Sequence, residues 1–410
     1  MTGNTRLAPL VLTRFSMRRP PHRTDQRRAL DWLAQVHTES RATSEREKDS
    51  ELGRDGELGR GGNGDGVPER DAFAARLRKV IDRCACGPSK IAWRGHVIPD
   101  VGRTDWGELP IYDVSRHPHG QGTAARTAFF AKIVDAYFEA EYEHDDAPPG
   151  DIVHVTCTGY VSPSGGQKLV DKRGWGDTTR VTHAYHMGCY AAFPALRIAA
   201  GFLGVPRSLG SPAADRRVDI VHTELCSLHL APGDHSVEQL VIQSLFADGM
   251  IRYALVDEER APGLRVMALD ERVLPDSSDS MSWSISDFGM QMTLSPDVPR
   301  QVAGHLRRFV SDLYEKAGMT FVRDHARTVF AVHPGGPKII DGVRDVLELS
   351  EAQVQTSRDV LFDHGNMSSA TAPHIWMRIA ADARVLPGTP IVSLAFGPGL
   401  TVCGGLFLKQ

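Results

Sequence analysis

Two segments constrain this chain more than any others: Asp151 to Thr158 (DIVHVTCT) and Thr328 to Val332 (TVFAV). Each is a short apolar run rich in β-branched residues, and each closes on turn-forming residues. The first ends at Gly159-Tyr160-Val161-Ser162-Pro163-Ser164-Gly165, the second at His333-Pro334-Gly335-Gly336-Pro337. Runs of this kind, bounded by Gly and Pro, read as strands buried on both faces. Asp219 to Leu228 (DIVHTELCSL), Met250 to Val256, Leu264 to Leu269 and Pro390 to Phe396 read the same way. Helical patterns lie between them, at Thr123 to Tyr142, Ser236 to Phe246, Val298 to Gly318, Lys338 to Val346 and Glu351 to Asp363. Strands alternating with helices imply an α/β fold, whose chemistry sits where the strands end.

The pattern begins again after about residue 260. Two successive α/β halves point to an internally duplicated sheet domain, with two independent α/β domains as the alternative. Residues 1–38 supply a first strand (Leu7 to Phe15) and a helix (Asp25 to His37). Residues 70–265 form the first half and 266–410 the second. Between them, residues 39–69 change character: Glu-Leu-Gly-Arg occurs at 51–54 and again at 57–60, and Gly61-Gly62-Asn63-Gly64-Asp65-Gly66 follows. So charged and Gly-rich a tract buries too little apolar surface to offset its ordering entropy, and it reads as a mobile insertion.

A formal charge of −4 gives the whole chain no reason to seek nucleic acid or an anionic membrane. No apolar run reaches transmembrane length. The six cysteines (Cys84, Cys86, Cys157, Cys189, Cys226, Cys403) are scattered through apolar runs and suit reduced thiols in a cytoplasm. The Arg-rich start (Arg14, Arg18, Arg19, Arg23, Arg27, Arg28) lacks a signal-type core and reads as surface-exposed.

Cys189 lies between Gly188 and an apolar run that reads as the start of a buried helix, where the backbone dipole favours a thiolate. His333 and Asn366 also stand beside turn glycines. Cys and His with a third polar group is the recurring logic of an activated sulfur nucleophile. His183, His186 and Cys189 run at i, i+3, i+6, but the two histidines precede the helix, which disfavours a metal site. His222 and His229 flank the strand at Glu224 and read as core or cavity histidines.

Phe330-Ala331-Val332-His333-Pro334-Gly335-Gly336-Pro337-Lys338-Ile339-Ile340-Asp341, Gly365-Asn366-Met367-Ser368-Ser369-Ala370 and Phe396-Gly397-Pro398-Gly399-Leu400-Thr401 resemble three signature segments of type III polyketide synthases. These are the chalcone synthase and alkylpyrone synthase group of the thiolase superfamily. Thr156-Cys157-Thr158-Gly159, Gly188-Cys189 and Phe246-Ala247-Asp248-Gly249 resemble three more, and all six occur in the family's order. The resemblance implies the duplicated five-layered αβαβα thiolase fold, usually as a homodimer. It implies that Cys189 takes an acyl group as a thioester and that His333 pairs with it as imidazolium. His333 and Asn366 would then hold the carbonyl of a malonyl-type extender through decarboxylative Claisen condensation. No metal or bound cofactor is implied; acyl-CoA and malonyl-CoA, or acyl carrier protein thioesters, would be the substrates.

The same resemblance places Phe246 and Met292 at gatekeeper positions and Pro398 in a cavity-shaping loop. Cys157, Thr158, Ser368, His229 and Trp283 would line the substrate chamber. Trp283 and His229 replace the smaller Gly and Thr of plant enzymes, which suits few extensions and a small product such as an α-pyrone. Phe193 and Pro194 replace paired glycines, adding bulk after Cys189. The basic helix Asp71 to Arg83 offers Arg78, Lys79 and Arg83 to an anionic carrier, although a solvated face accounts for them equally. The rivals are a ketosynthase joining two carrier-bound β-ketoacyl chains, an acyltransferase forming no C–C bond, and a non-catalytic thiolase-fold scaffold subunit.

Overall fold

The computed structural model describes residues 9–52, 66–145, 147–205 and 216–410. The chain runs through β1 (Val11–Arg18), β2 (His22–Asp25), α1 (Gln26–Leu52), α2 (Gly66–Cys84), β3 (Trp93–His96) and α3 (Thr123–Glu141). It continues with β4 (Asp151–Thr156), α4 (Gly165–Lys172), β5 (Arg180–Tyr185), α5 (Ala192–Gly204), β6 (Val218–Glu224), α6 (Val237–Leu245), β7 (Gly249–Val256) and β8 (Leu264–Val273). A hairpin, β9 (Met281–Ser286) and β10 (Gly289–Leu294), comes next, then α7 (Val298–Lys316), α8 (Phe321–Asp324) and β11 (Val329–Val332). Helices α9 (Pro337–Leu347), α10 (Glu351–His364) and α11 (Thr371–Ala381) precede the last strands, β12 (Pro390–Gly397) and β13 (Thr401–Lys409).

Nine strands form one ladder in the order β11-β12-β13-β8-β1-β7-β6-β4-β5. Strand β4 is parallel to β5 and β6, and β11 is parallel to β12. Within the ladder, among the described residues, the two halves are hydrogen-bonded where β1 pairs with β8 through Val11 and Leu12. That short seam leaves them free to stack face to face. Side chains show that they do, because successive strand residues point to opposite faces. Ile152 and Val221 pack outward with α1, α2 and α3, while Val153 and Ile220 pack inward against α5. In the second half Phe330 and Val392 pack outward with α7, α9 and α10, while Ala331 and Ile391 join the inner cluster with Ala372, Ile375 and Trp376 of α11. Helices α5 and α11 therefore form a middle layer, and the α/β arrangement is the five-layered αβαβα one.

Several expectations change. Strand β1 begins four residues later than expected and lies in the middle of the ladder, with Val11 and Leu12 fully buried, while the six arginines of this Arg-rich start are exposed as expected. Helix α1 continues to Leu52, with Glu39, Ser40 and Thr43 buried. Arg46 and Arg70 both reach Glu39, which ties α1 to α2. The inserted tract is thus helical at both ends, and its repeats fall mostly outside the described residues. Pro194 is the third residue of α5, where its missing N–H has no intrahelical acceptor to lose. Phe193 packs edge-on against Trp376 at 5.6 Å, so its bulk fills the middle layer.

Candidate active site

Strand β5 ends at Tyr185, and the chain then turns through left-handed His186 (φ 61°) and Gly188 (φ 72°) into a single 3-10 turn, Gly188–Tyr190, that leads into α5. A Cβ on Gly188 would lie 2.7 Å from Pro398 Cδ, so glycine here is required by conformation and by space. An equivalent turn, Ser368–Ala370, precedes α11, and the two turns pack against each other. Each half thus delivers one turn, capping one middle-layer helix. Ser368 adopts a left-handed conformation (φ 49°), a cost that a non-glycine residue accepts only where its surroundings hold it.

Ser368 is the hub. The Cys189 thiol lies 3.9 Å from Ser368 Oγ, and the same hydroxyl lies 3.2 Å from Cys157 Sγ. Cys157 in turn donates its thiol to Glu224 Oε2 at 3.4 Å and its backbone N–H to the same oxygen at 3.0 Å. Thr158 Oγ1 donates to Glu224 at 3.2 Å and accepts from Leu225 N–H at 2.9 Å. Ser369 donates to the other carboxylate oxygen, and His222 lies 2.9 Å from Ser369 Oγ and 3.1 Å from Tyr253 OH.

Asn366 Oδ1 accepts from Ser368 N–H at 2.9 Å. Its backbone bridges Phe246: Asn366 N–H donates to Leu245 O, and Ala247 N–H donates to Asn366 O. One bridge therefore positions both the Phe246 side chain and the Asn366 amide. His333 follows β11, its backbone N–H donating to Leu394 O of β12, and β12 packs against the Cys189 turn. The His333 ring is 1% exposed, yet neither nitrogen has a partner among the described residues.

The electrostatics differ from a simple activated pair. Burial pushes the Cys189 thiol up to about 12; Ser368 and Asn366 oppose that shift and Glu224 adds to it. The helix start therefore does not leave a standing thiolate. Burial and then Glu224 hold the Cys157 thiol well above its ordinary value. The Glu224 carboxyl is itself raised by burial, against the donors that favour its anion. Burial lowers His333 to about 3, so its ring is neutral.

Side chains also tie the turn after β4 to the β9–β10 hairpin. Trp283 Nε1–H donates to Cys157 O at 2.7 Å, and His229 Nε2–H donates to Thr158 O at 2.8 Å. His229 Nδ1 accepts from Met290 N–H at 3.1 Å, which fixes a neutral tautomer. These contacts clamp the β9–β10 hairpin onto the end of β4. Met292 faces Trp283 across that hairpin and is buried. Arg78, Lys79 and Arg83 are exposed on α2, away from its Phe73, Leu77 and Ile81 face. His183 bonds Ser164 and His186 bonds Trp283 O. Among the described residues no group of three His, Cys, Asp or Glu could hold a metal. Glu224, Ser369 and Tyr253 are the site residues that sequence reasoning missed. The available signal was a carboxylate at the end of a wholly buried strand, with no basic residue beside it in sequence.

Residues 265–409 match the family model described as chalcone and stilbene synthases, C-terminal domain. Over 269 residues, 64% of its length, the chain is 34% identical to a probable polyketide synthase 1 of Dictyostelium discoideum, of which the chain spans only 8%. Three solved structures share the fold. The type III polyketide synthase domain of Steely1 from Dictyostelium has TM-score 0.75 and 22% identity, covering 98% of this chain and 99% of that one. PKS-I from the brown alga Ectocarpus siliculosus has TM-score 0.77 and 20% identity, covering 99% and 100%. The 1,3,6,8-tetrahydroxynaphthalene synthase of Streptomyces coelicolor, a bacterial type III polyketide synthase, has TM-score 0.74 and 22% identity, covering 98% and 99%. The six motif segments in order and this fold around them make the chain similar to the type III polyketide synthases, and its residues 265–409 match a chalcone and stilbene synthase C-terminal domain.

Proposed function

We propose that this protein is an acyltransferase that loads an acyl group on Cys189 and extends it by decarboxylative Claisen condensation with a malonyl-type thioester. The observation that carries this reading is the meeting of the two turns, which sets the Cys189 thiol against Ser368 and, through Ser368, the Asn366 amide. Loss of CO2 from the extender leaves an enolate whose oxygen needs donors in a water-poor site. The Asn366 amide can supply one. The unpartnered His333 ring, buried and neutral, can supply an N–H as the second. Attack of the enolate carbon on the Cys189 thioester forms the new C–C bond and releases the thiol.

Trp283, His229 and Met292, with Phe246, Cys157, Thr158, Ser368 and Pro398, make a chamber suited to one or two extensions and a small product such as an α-pyrone. CoA thioesters are the first substrates to test, with Arg78, Lys79 and Arg83 offered to the carrier's phosphates or to an acidic carrier protein. Strand β5 ends the ladder with a free edge, which supports a homodimer. All six cysteines are free, which supports a reducing cytoplasm, and no described helix is long and apolar enough to cross a membrane.

The experiment is radiolabelled malonyl-CoA decarboxylation alongside product analysis by mass spectrometry. Asn366→Ala is expected to lose about 10²-fold or more in CO2 release, as when one oxyanion donor is removed, while Cys189 still loads. Full extension by that variant contradicts the role assigned to Asn366.

A further inference from the structure

Strand β10 pairs with β9 along one edge and, among the described residues, has no strand beside the other. The backbone groups facing that open edge belong to alternate residues, Met290, Met292 and Leu294. The side chains of these three turn inward, while Gln291 and Thr293 are exposed. Buried backbone groups need partners, and here three side chains stand in for a strand. His229 Nδ1 accepts from Met290 N–H at 3.1 Å, Gln239 Nε2–H donates to Met292 O at 2.7 Å, and Glu238 Oε1 accepts from Leu294 N–H at 2.6 Å. Gln239, in the middle, is buried, whereas Glu238 lies at the surface.

The chain also shows why Gln239 is available. The pattern Ser-x-x-Gln opens three helices: Ser164 to Gln167 at α4, Ser236 to Gln239 at α6 and Ser350 to Gln353 at α10. In α4 and α10 the Gln Oε1 accepts from the N–H of its own serine and closes a capping box. In α6 the Ser236 N–H donates to Asp234 Oδ1 instead, and the Gln239 amide crosses to β10. The far end of α6 runs directly into Phe246, whose carbonyl accepts from Arg94 Nη1 at 2.9 Å. One nine-residue helix thus ties Met292 to its start, through Gln239, and carries Phe246 at its end.

We propose that Gln239 is a positioning residue that fixes Met292 relative to Phe246 and so sets the acyl chain length the site accepts, with Glu238 in support. The inference rests on the proposed reaction and on Met292 and Phe246 standing at its entrance. Without the Gln239 amide, Met292 O loses its donor and the β10 edge is held only by His229 and Glu238. The Met292 side chain then gives way to a longer acyl chain.

The test is kcat/KM for a series of straight-chain acyl-CoA starters, short to long, in wild type and in Gln239→Met, which keeps the side-chain length and removes the donor. The long-to-short ratio should rise about tenfold, the scale of one buried hydrogen bond. An equal loss on every starter, with the ratio unchanged, marks a merely structural role and overturns the proposal. In a Met292→Ala background Gln239→Met should no longer alter the ratio, because the side chain it positions is gone; the full shift there overturns the proposal as well. Glu238→Ala changes only a surface side chain and keeps the test open if Gln239→Met fails to fold. It should raise the ratio about twofold, and no change overturns the clasp. Amide exchange supplies a reading that needs no catalysis: Gly289–Leu294 should exchange about tenfold faster in Gln239→Met, and unchanged exchange overturns the clasp. Wild-type protein that condenses no starter, while Gln239→Met speeds that exchange, refutes the proposed reaction and leaves the clasp standing.

Discussion

The two sides of the site are built on opposite principles. Around Glu224 every polar atom is spoken for: the carboxylate accepts from Cys157, Thr158 and Ser369, and Ser369 is held by His222 and Tyr253. Around His333 nothing is: a buried imidazole keeps two nitrogens with no partner among the described residues. Buried polar groups are almost always paired, so an orphan in so ordered a core marks a place where the partner arrives from outside. On the proposed reading, the satisfied side belongs to the resting protein and the unsatisfied side awaits a substrate oxygen.

Substitutions should separate the two sides by stability. Glu224→Leu strands the Cys157 N–H and the hydroxyls of Thr158 and Ser369, at about 1–3 kcal/mol for each unpaired group, so its unfolding free energy from urea titration should fall by more than about 3 kcal/mol, with a lower midpoint. A midpoint unchanged from wild type would remove the contrast. The next effect is on pH dependence. Burial lowers His333 from the ordinary imidazole value of 6.5 to about 3, so the unfolded chain takes up its proton first as pH falls. The stability this neutral ring provides is present above about 6.5 and lost as pH drops from there towards 3, amounting to about 2 kcal/mol by pH 5. Buried His37, His154, His222 and His229 add losses of the same sign. His333→Leu should therefore lose about 2 kcal/mol less than wild type between pH 7 and pH 5, and parallel curves would contradict a neutral buried ring.

Replacing Arg78, Lys79 and Arg83 by Ala together should raise KM for an acyl-CoA about fivefold, near 1 kcal/mol, with kcat unchanged, as expected for exposed charges that meet only the carrier. A fall in kcat would move these residues into the chemistry. Smallest is His333→Leu at neutral pH, whose melting stability should stay within about 0.5 kcal/mol because no resting hydrogen bond is lost, while condensation disappears.

Much of this was legible in the chain because strands buried on both faces are written as apolar runs. The β4 and β11 runs, with Cys189, His333 and Asn366 beside their glycines, could be read one segment at a time. What escaped was whatever depends on two distant segments meeting. Glu224 ends a wholly buried strand and gains meaning only beside Cys157 and Ser369. Hairpin β9–β10 alternates Ser with apolar residues, the pattern of a half-buried strand and not of an apolar run, and its place becomes clear only where Trp283 and the turn His229 clamp it to β4. Helix α1 runs past His37 through a charged stretch of little apolar periodicity, held by Glu39 and its arginines. Cys189 lies in the 3-10 turn ahead of α5, and the burial supplied by both halves pushes its thiol up, against the thiolate that a helix start would favour.

The central claim is that Cys189 anchors an acyl chain, and intact-protein mass spectrometry after incubation with acyl-CoA tests it most directly. The account predicts a single acyl adduct on wild-type protein, mapped to Cys189 by peptide analysis, absent from Cys189→Ala and discharged when malonyl-CoA is added. No adduct from any thioester donor, or one that persists in Cys189→Ala, would contradict it.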